Sequence, residues 1–260
     1  MPTVPTASED YQPVKSAGRT LDLLELLADQ PRPWTLVDLT RELDIPKSSL
    51  HGLLRTLTAR GWVRTDDGTH FRLGLRALRV GAAYLDGDGT VGLLGGILDD
   101  LSRRFGETVH LGRLDGAEVV YVAKRESVHH LRLYSAIGRR LPAHATALGK
   151  ALLAEHTDQE AGGMLQWPLA GLTANTITDR DAFHAALAEV RAAGYAVDRE
   201  ENAEGINCIA MAVPLTAPAV DAVSISVPVS RLRPELEASI VAALRETVGA
   251  LGRAGSMLTT

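Results

Sequence analysis

Cysteine is nearly absent. Cys208 is the single one in 260 residues, which excludes an internal disulfide framework and fits a reducing compartment. Also missing is any run of about 18 uninterrupted apolar residues, so no segment is expected to cross a membrane as a helix. The N-terminal MPTVPTASEDYQPV has no cationic start followed by an apolar stretch, and the expected location is cytoplasmic. Net positive charge is absent as well: the formal charge is -5, which speaks against a nucleic-acid partner for the chain taken whole. No phosphate-binding loop exists, because His144 stands where its first glycine would be, and neither Ser nor Thr follows Lys150. Metal ligation and hydrolysis have no better footing. His129 and His130 are adjacent and point apart on a strand, no ligand spacing recurs with His144 and Cys208, and neither Ser224 nor Ser226 sits in G-x-S-x-G. No catalytic residue, metal or cofactor is therefore assigned. An enzyme would have to use Cys208 with His144, or Ser226 with His144 and Asp198.

What is present is a chain long enough for two domains, 45% hydrophobic and 23% charged, the composition of a soluble globular protein with a core. Residues 1–85 hold 11 Lys+Arg against 10 Asp+Glu, which leaves 16 against 22 for residues 86–260. Within residues 45–80 there are seven cations and two anions. Such asymmetry is the footprint of a polyanion bound by one part of the chain.

The cationic stretch centres on residues 45–61, IPKSSLHGLLRTLTARG. As a helix at about 100° per residue it sets Leu50, Leu53, Leu54 and Leu57 on one side. Lys47, Ser48, His51, Gly52, Arg55 and Thr56 fall opposite, on a face of short polar residues and long cations suited to base edges and phosphates in a major groove. A merely solvated helix has the same pattern, so the flanking segments matter. A first helix over Lys15–Asp29, with Ala17, Leu21, Leu24 and Ala28 as its stripe, is stopped by Pro31-Arg32-Pro33. Thr35 with Asp38 makes a capping-box start for a second helix whose Leu36, Leu39 and Leu43 point inward. Asp44, Ile45 and Pro46 then turn the chain into the cationic helix, the order of a helix-turn-helix. Residues 62–65 and 69–73 about Asp66-Asp67-Gly68 read as a two-stranded hairpin, a wing. Its tip is acidic, so Arg64, His70 and Arg72 on the strands are the expected phosphate contacts. Lys47, Ser48, Ser49, His51 and Arg55 are those expected from the helix. An ordinary hairpin closing a three-helix core would use the same residues.

Leu75, Leu78, Ala82 and Leu85 form another helical stripe, with Arg76 and Arg79 outside it, ending at Gly87-Asp88-Gly89. Such a stripe needs a surface to bury against, and a second subunit would provide one. Beyond the glycines, a helix is expected over 91–105, strands over 108–114, 117–124 and 131–135, and a helix from His144 through Ala154. Thr178 with Asp181 caps a helix ending at Gly194, strands follow at 195–198, 206–213 and 222–229, and Pro234 opens the last helix. That order predicts an antiparallel sheet packed by helices, an α+β domain. At period two, Ile209, Met211 and Val213 with Val223, Ile225 and Val227 make apolar faces. The opposite faces, with Ile206, Cys208 and Ala210 and then Ser224 and Ser226, are small and partly polar. With Asp198 nearby they fit the floor of a cavity, although small residues would equally admit a helix at close range. In GRRLPAHATALGKALLA, residues 138–154, a helix N-terminus follows a loop, and exposed N–H groups there bind carboxylates.

Taken together, these segments resemble the IclR family of bacterial transcriptional regulators from about Val14 to Gly252. The helix-turn-helix and wing, the 138–154 loop-helix and GYAVDREENAEGINCIAMAVP at 194–214 carry the resemblance. It implies an N-terminal winged helix-turn-helix, a linker helix and a C-terminal GAF-like effector domain, assembled as homodimers or dimers of dimers. It also implies an effector carboxylate held by backbone N–H groups of Ala147 and Leu148 and by Asp198, Cys208, Ser224 and Ser226, with Leu141 and Ile206 as apolar walls. One departure is Val227, where the family's S-x-S-G-P pattern has glycine.

The expected organisation is thus a disordered lead over 1–13, a winged helix-turn-helix over 14–74, a linker helix and hinge over 75–90, an effector-binding and oligomerisation domain over 91–254, and a tail over 255–260. The expected function is a ligand-responsive regulator that binds pseudo-palindromic double-stranded operator DNA and a small organic acid, with no membrane partner. Two alternatives stay open: an enzyme acting on a small carboxylate in the same pocket, and a dimeric DNA-binding protein without an effector.

Overall fold

The computed structural model describes residues 14–131 and 135–257, with side chains described through Leu251. The expected lead over 1–13, the end of the expected tail and the middle of the strand expected at 131–135 lie outside these residues. The chain divides between Gly87 and Asp88 into two compact units, each described by itself. No described helix is long and apolar enough to cross a membrane.

The first unit packs α1 (Lys15–Asp29), α2 (Leu36–Leu43) and α3 (Lys47–Ala59) around Leu23, Leu27, Leu39, Leu50 and Leu54. Thr35 caps α2 through the reciprocal box with Asp38. On α1 the expected stripe is displaced: Leu23 and Leu27 are buried, whereas Ala17, Leu21 and Ala28 are exposed. The helix carries two overlapping leucine stripes, and contact with its neighbours, not periodicity, selects between them. The wing also has one strand more than expected. β2 (Val63–Thr65) pairs with β3 (His70–Leu73), and β3 pairs in turn with β1 (Trp34–Thr35), whose buried Trp34 lies opposite Phe71. No residue of α4 (Leu75–Asp86) is buried.

The second unit is a six-stranded antiparallel sheet in the order β6-β5-β4-β9-β8-β7. Its strands are β4 (Thr108–Asp115), β5 (Glu118–Arg125), β6 (Arg140–Pro142), β7 (Ala196–Arg199), β8 (Ile206–Ala212) and β9 (Asp221–Pro228). The helices are α5 (Gly89–Phe105), α6 (Ala147–Leu153), α7 (Asp158–Met164), α8 (Arg180–Ala193) and α9 (Pro234–Met257). α6 and α8 cover the Ala196, Ala210 and Ala222 side of the sheet, where alanines allow close approach. Several expected boundaries shift. The cap of α8 is Asp179, whose carboxylate accepts the Ala182 N–H, instead of Thr178. The helix expected from His144 is a 3-10 turn at Ala143–Ala145 followed by α6, and α7, begun by a Thr157–Glu160 capping box, was not expected.

Candidate functional site

Two sites emerge, one in each unit. In the first, Asp44 adopts a left-handed conformation (φ 48°) that ends α2 and turns the chain into α3. Burial of Leu50, Leu54 and Leu57 fixes the rotation of α3, which leaves Lys47, Ser48, His51 and Arg55 exposed and Ser49 half-buried at the edge of that face. Lys47 and Arg55 form no ion pair among the described residues. On the wing, Arg64 and Arg72 are direct cross-strand partners. Like charges held opposite one another on a ladder are unfavourable in isolation, and an anion between them relieves the repulsion. His70 behaves differently. Its Nδ1 lies 2.5 Å from Asp67, whose carboxyl that contact and the N–H groups of His70 and Thr69 hold well below the usual carboxylate range. His70 therefore braces the wing tip, while Arg64 and Arg72 remain without an ion pair among the described residues.

The second site is assembled by register. Cys208 lies opposite Ser226, Ala210 opposite Ser224, and Asp198 opposite Cys208, so these side chains share the face under α6. The Cys208 thiol donates to Ser226 Oγ at 3.2 Å, and burial pushes its titration far up, which makes it a neutral donor and not a thiolate nucleophile. Asp198 is buried and accepts the N–H groups of Glu201 (2.7 Å) and Asn202 (3.3 Å). Desolvation outweighs those bonds and raises its carboxyl to about 7. Glu201 in turn pairs with the buried Lys150 of α6.

Thr146 caps α6 by accepting the Gly149 N–H at 3.0 Å, and the Lys150 N–H reaches the Thr146 carbonyl. The N–H groups of Ala147 and Leu148 are then the first-turn donors without a helical acceptor. Gly149 is dictated by contact: a Cβ there would stand 2.1 Å from the Ala143 carbonyl oxygen, so only glycine lets the loop fold across the first turn.

Between α6 and the sheet lies a cavity of about 10 Å³, lined by Ala147, Leu148, Asp198, Ile206, Cys208 and Ser224 among others. Ser226 stands behind Cys208, and Leu141 lines a neighbouring cavity of about 270 Å³. Tyr121, Asn202 and Ala203 border both cavities and were not singled out from the sequence. Tyr121 belongs to an apolar run, residues 119–123, that shows no alternation, and Asn202 and Ala203 lie in a loop without periodicity. Val227 is buried on the far side with Val223 and Ile225, so the departure from the family pattern does not touch the cavity floor. His144 is engaged elsewhere, its Nε2 lying 2.9 Å from the Ala170 carbonyl oxygen. Among the described residues no cluster of His, Cys, Asp or Glu is placed to hold a metal.

Comparison with known proteins agrees in both units. The family model described as "IclR helix-turn-helix domain" matches residues 16–67, and "Bacterial transcriptional regulator IclR C-terminal" matches residues 82–253. The HTH-type transcriptional regulator XynR of Escherichia coli K12 is 38% identical over 77% of this chain and 80% of its own length. The transcriptional repressor IclR of the same organism is 32% identical over 96% of this chain and 94% of its own. Among solved structures, the IclR transcriptional regulator from Alicyclobacillus acidocaldarius superposes with a TM-score of 0.82 at 25% identity, covering 94% of this chain and all of that one.

Proposed function

The chain belongs to the IclR family of bacterial transcriptional regulators, and from that premise we propose how its two units divide the work. It is a helix-turn-helix transcriptional regulator with a C-terminal effector domain and not an enzyme; its relatives are named transcriptional regulators and repressors. In our proposal α3 enters the major groove of operator DNA, presenting Lys47, Ser48, Ser49, His51 and Arg55, while Arg64 and Arg72 contact the flanking backbone and His70 holds the wing tip beside them. A small organic acid occupies the cavity under α6. Its carboxylate takes the Ala147 and Leu148 N–H groups and the side chains of Asp198, Cys208, Ser224 and Ser226, against Ile206 and Leu141. Residues 14–74 then serve DNA, 75–90 form the linker and hinge, and 91–254 serve the effector and assembly into dimers or dimers of dimers.

The observation that carries the DNA half is the exposed α3 face, whose cations have no ion pair among the described residues, in a helix-turn-helix and wing. Replacing Lys47 and Arg55 together by Ala should weaken operator binding at least tenfold and flatten its salt dependence by roughly one unit of log-log slope per lost phosphate contact. Unchanged affinity and slope in a titration by fluorescence anisotropy would remove α3 from the interface.

One observation favours a second reading, DNA binding without an effector: the cavity under α6 has room for about one water. The adjoining 270 Å³ cavity supports the effector reading, since the two share Tyr121, Asn202 and Ala203 as walls; in our proposal an acid displaces these side chains.

A further inference from the structure

The carboxylate subsite uses one side of β9. The other side of that strand carries polar groups that the proposed carboxylate contacts leave unused. On β4, Thr108 lies opposite Ser226 and His110 opposite Ser224, so four polar side chains form a two-by-two block on the face under α6. Thr108 and His110 are each at least 99% buried. His110 Nε2 shares a 2.7 Å hydrogen bond with Ser135 Oγ, and Tyr121 stacks on the imidazole at 4.2 Å between ring centroids. Yet His110 Nδ1 and Thr108 Oγ1 are buried with no hydrogen-bond partner among the described residues. Native interiors rarely leave two such atoms unsatisfied two residues apart, because each keeps its desolvation cost with no return. Tyr121 and Ser135, which hold the imidazole, both line the larger cavity, and Tyr121 and Ser224 line the smaller one.

We propose that the effector site has a second subsite, formed by His110 and Thr108 beside the carboxylate-binding serines, that takes a hydroxyl at the far end of the acid. This rests on the acid-effector reading given above. A hydroxyl fits because it donates and accepts at once: it gives its proton to one unpartnered atom and accepts from the other. A second carboxylate does not, since burial and the nearby Lys124 charge hold the imidazole neutral, down to about 3, and so supply no counter-charge. Spacing sets the length. Cys208, Ser226 and Thr108 lie in one register row across β8, β9 and β4, so Cys208 and Thr108 are two strands apart, roughly 9–10 Å at the backbone. Hydrogen bonds of about 3 Å at each end leave roughly 4 Å between the ligand's own polar groups, the span of a three- or four-carbon hydroxy acid.

The test is isothermal titration of the full chain with three pairs: propionate and 3-hydroxypropionate, butyrate and 4-hydroxybutyrate, valerate and 5-hydroxyvalerate. In at least one of the two shorter pairs the hydroxy acid should bind about tenfold tighter. His110→Phe, which keeps a ring under Tyr121, and Thr108→Val, which keeps shape, should each bring that ratio to within about twofold. If His110→Phe does not fold, Thr108→Val carries the comparison alone. Equal affinities within every pair in the unaltered protein, or discrimination that survives the substitutions, overturn the subsite and leave the acid-effector reading standing. Binding of none of the six overturns that reading and the subsite with it.

Discussion

Asp198 shows how one side chain joins folding to ligand choice. Its carboxyl belongs to a strand that must be buried for the sheet to pack, and burial lifts it to about 7 against two backbone N–H donors. An arriving carboxylate needs it protonated, as a donor and not as a second anion. Binding by the proposed acid should therefore be flat between about pH 6 and 7, where the acid is ionised and Asp198 protonated, and weaken by up to tenfold per pH unit above it, until the bound-state titration is reached. Asp198→Asn, which keeps the acceptor for the Glu201 and Asn202 N–H groups, should bind with an affinity independent of pH between 6 and 9. Titration calorimetry across that range checks both, and identical profiles for the two proteins would remove Asp198 from the site. The sign for folding runs the same way. The protonated form is favoured in the folded state, so the contribution of Asp198 to stability is unpenalised below its unfolded value near 3.8 and declines as pH rises toward 7. At this scale much was legible: strand parity set Cys208 and, separately, Ser224 and Ser226 on small, partly polar faces, whereas Asp198 entered only as a neighbour until the pairing of β7 with β8 set it opposite Cys208. The pairing of His110 with Ser224 was not legible, because it depends on β4 lying beside β9, more than a hundred residues away in sequence.

At the scale of elements, α6 is the piece on which the second site turns. It is held by Gly149 against the Ala143 loop and by Lys150 against Glu201, both ends of that ion pair being buried. Removing one partner leaves the other charge stranded, which costs about 3–5 kcal/mol, whereas replacing both by apolar residues of similar volume is close to neutral. Lys150→Met should thus lower the urea midpoint of the C-terminal unit sharply, and Lys150→Met with Glu201→Leu should recover most of the loss. A single variant as stable as the unaltered protein would show that the pair bears no load. Caps and breakers were read well from sequence where side chain and backbone lie within one turn, as at Thr35–Asp38. They were misread where two candidates adjoin, as at Thr178 and Asp179. The Thr157–Glu160 box that begins α7 was equally visible but sits before too short an apolar pattern to announce a helix. The α1 stripe failed for a different reason: its leucines satisfy two registers, and only the packed neighbours choose.

For the whole molecule, the exposed apolar residues of α4 bear on assembly. Leu75 and Leu78 are 79% and 67% exposed, on a helix with no buried residue. Such a row is expected to be covered by the same helix of a second subunit, which would give the proposed homodimer two α3 helices and an operator of two related half-sites. Leu75→Glu with Leu78→Glu should then sediment at half the mass of the unaltered protein and lose affinity for a two-half-site operator. Unchanged mass would place the subunit contact elsewhere. The division into two units was legible from the charge split and the Gly87-Asp88-Gly89 break, because both are properties of long stretches. The size of the cavity was not, since it depends on where Tyr121 and the Asn202–Ala203 loop come to rest.

The central claim is that occupancy of the cavity under α6 alters the hold of α3 on DNA. The most direct measurement is the dissociation constant for an operator recovered by selection from random duplexes, with and without a small carboxylate that raises the thermal midpoint of the protein. Coupling of the usual size predicts a change of about 5–150-fold that disappears in Asp198→Ala. An operator affinity that stays the same while the acid is bound would contradict it.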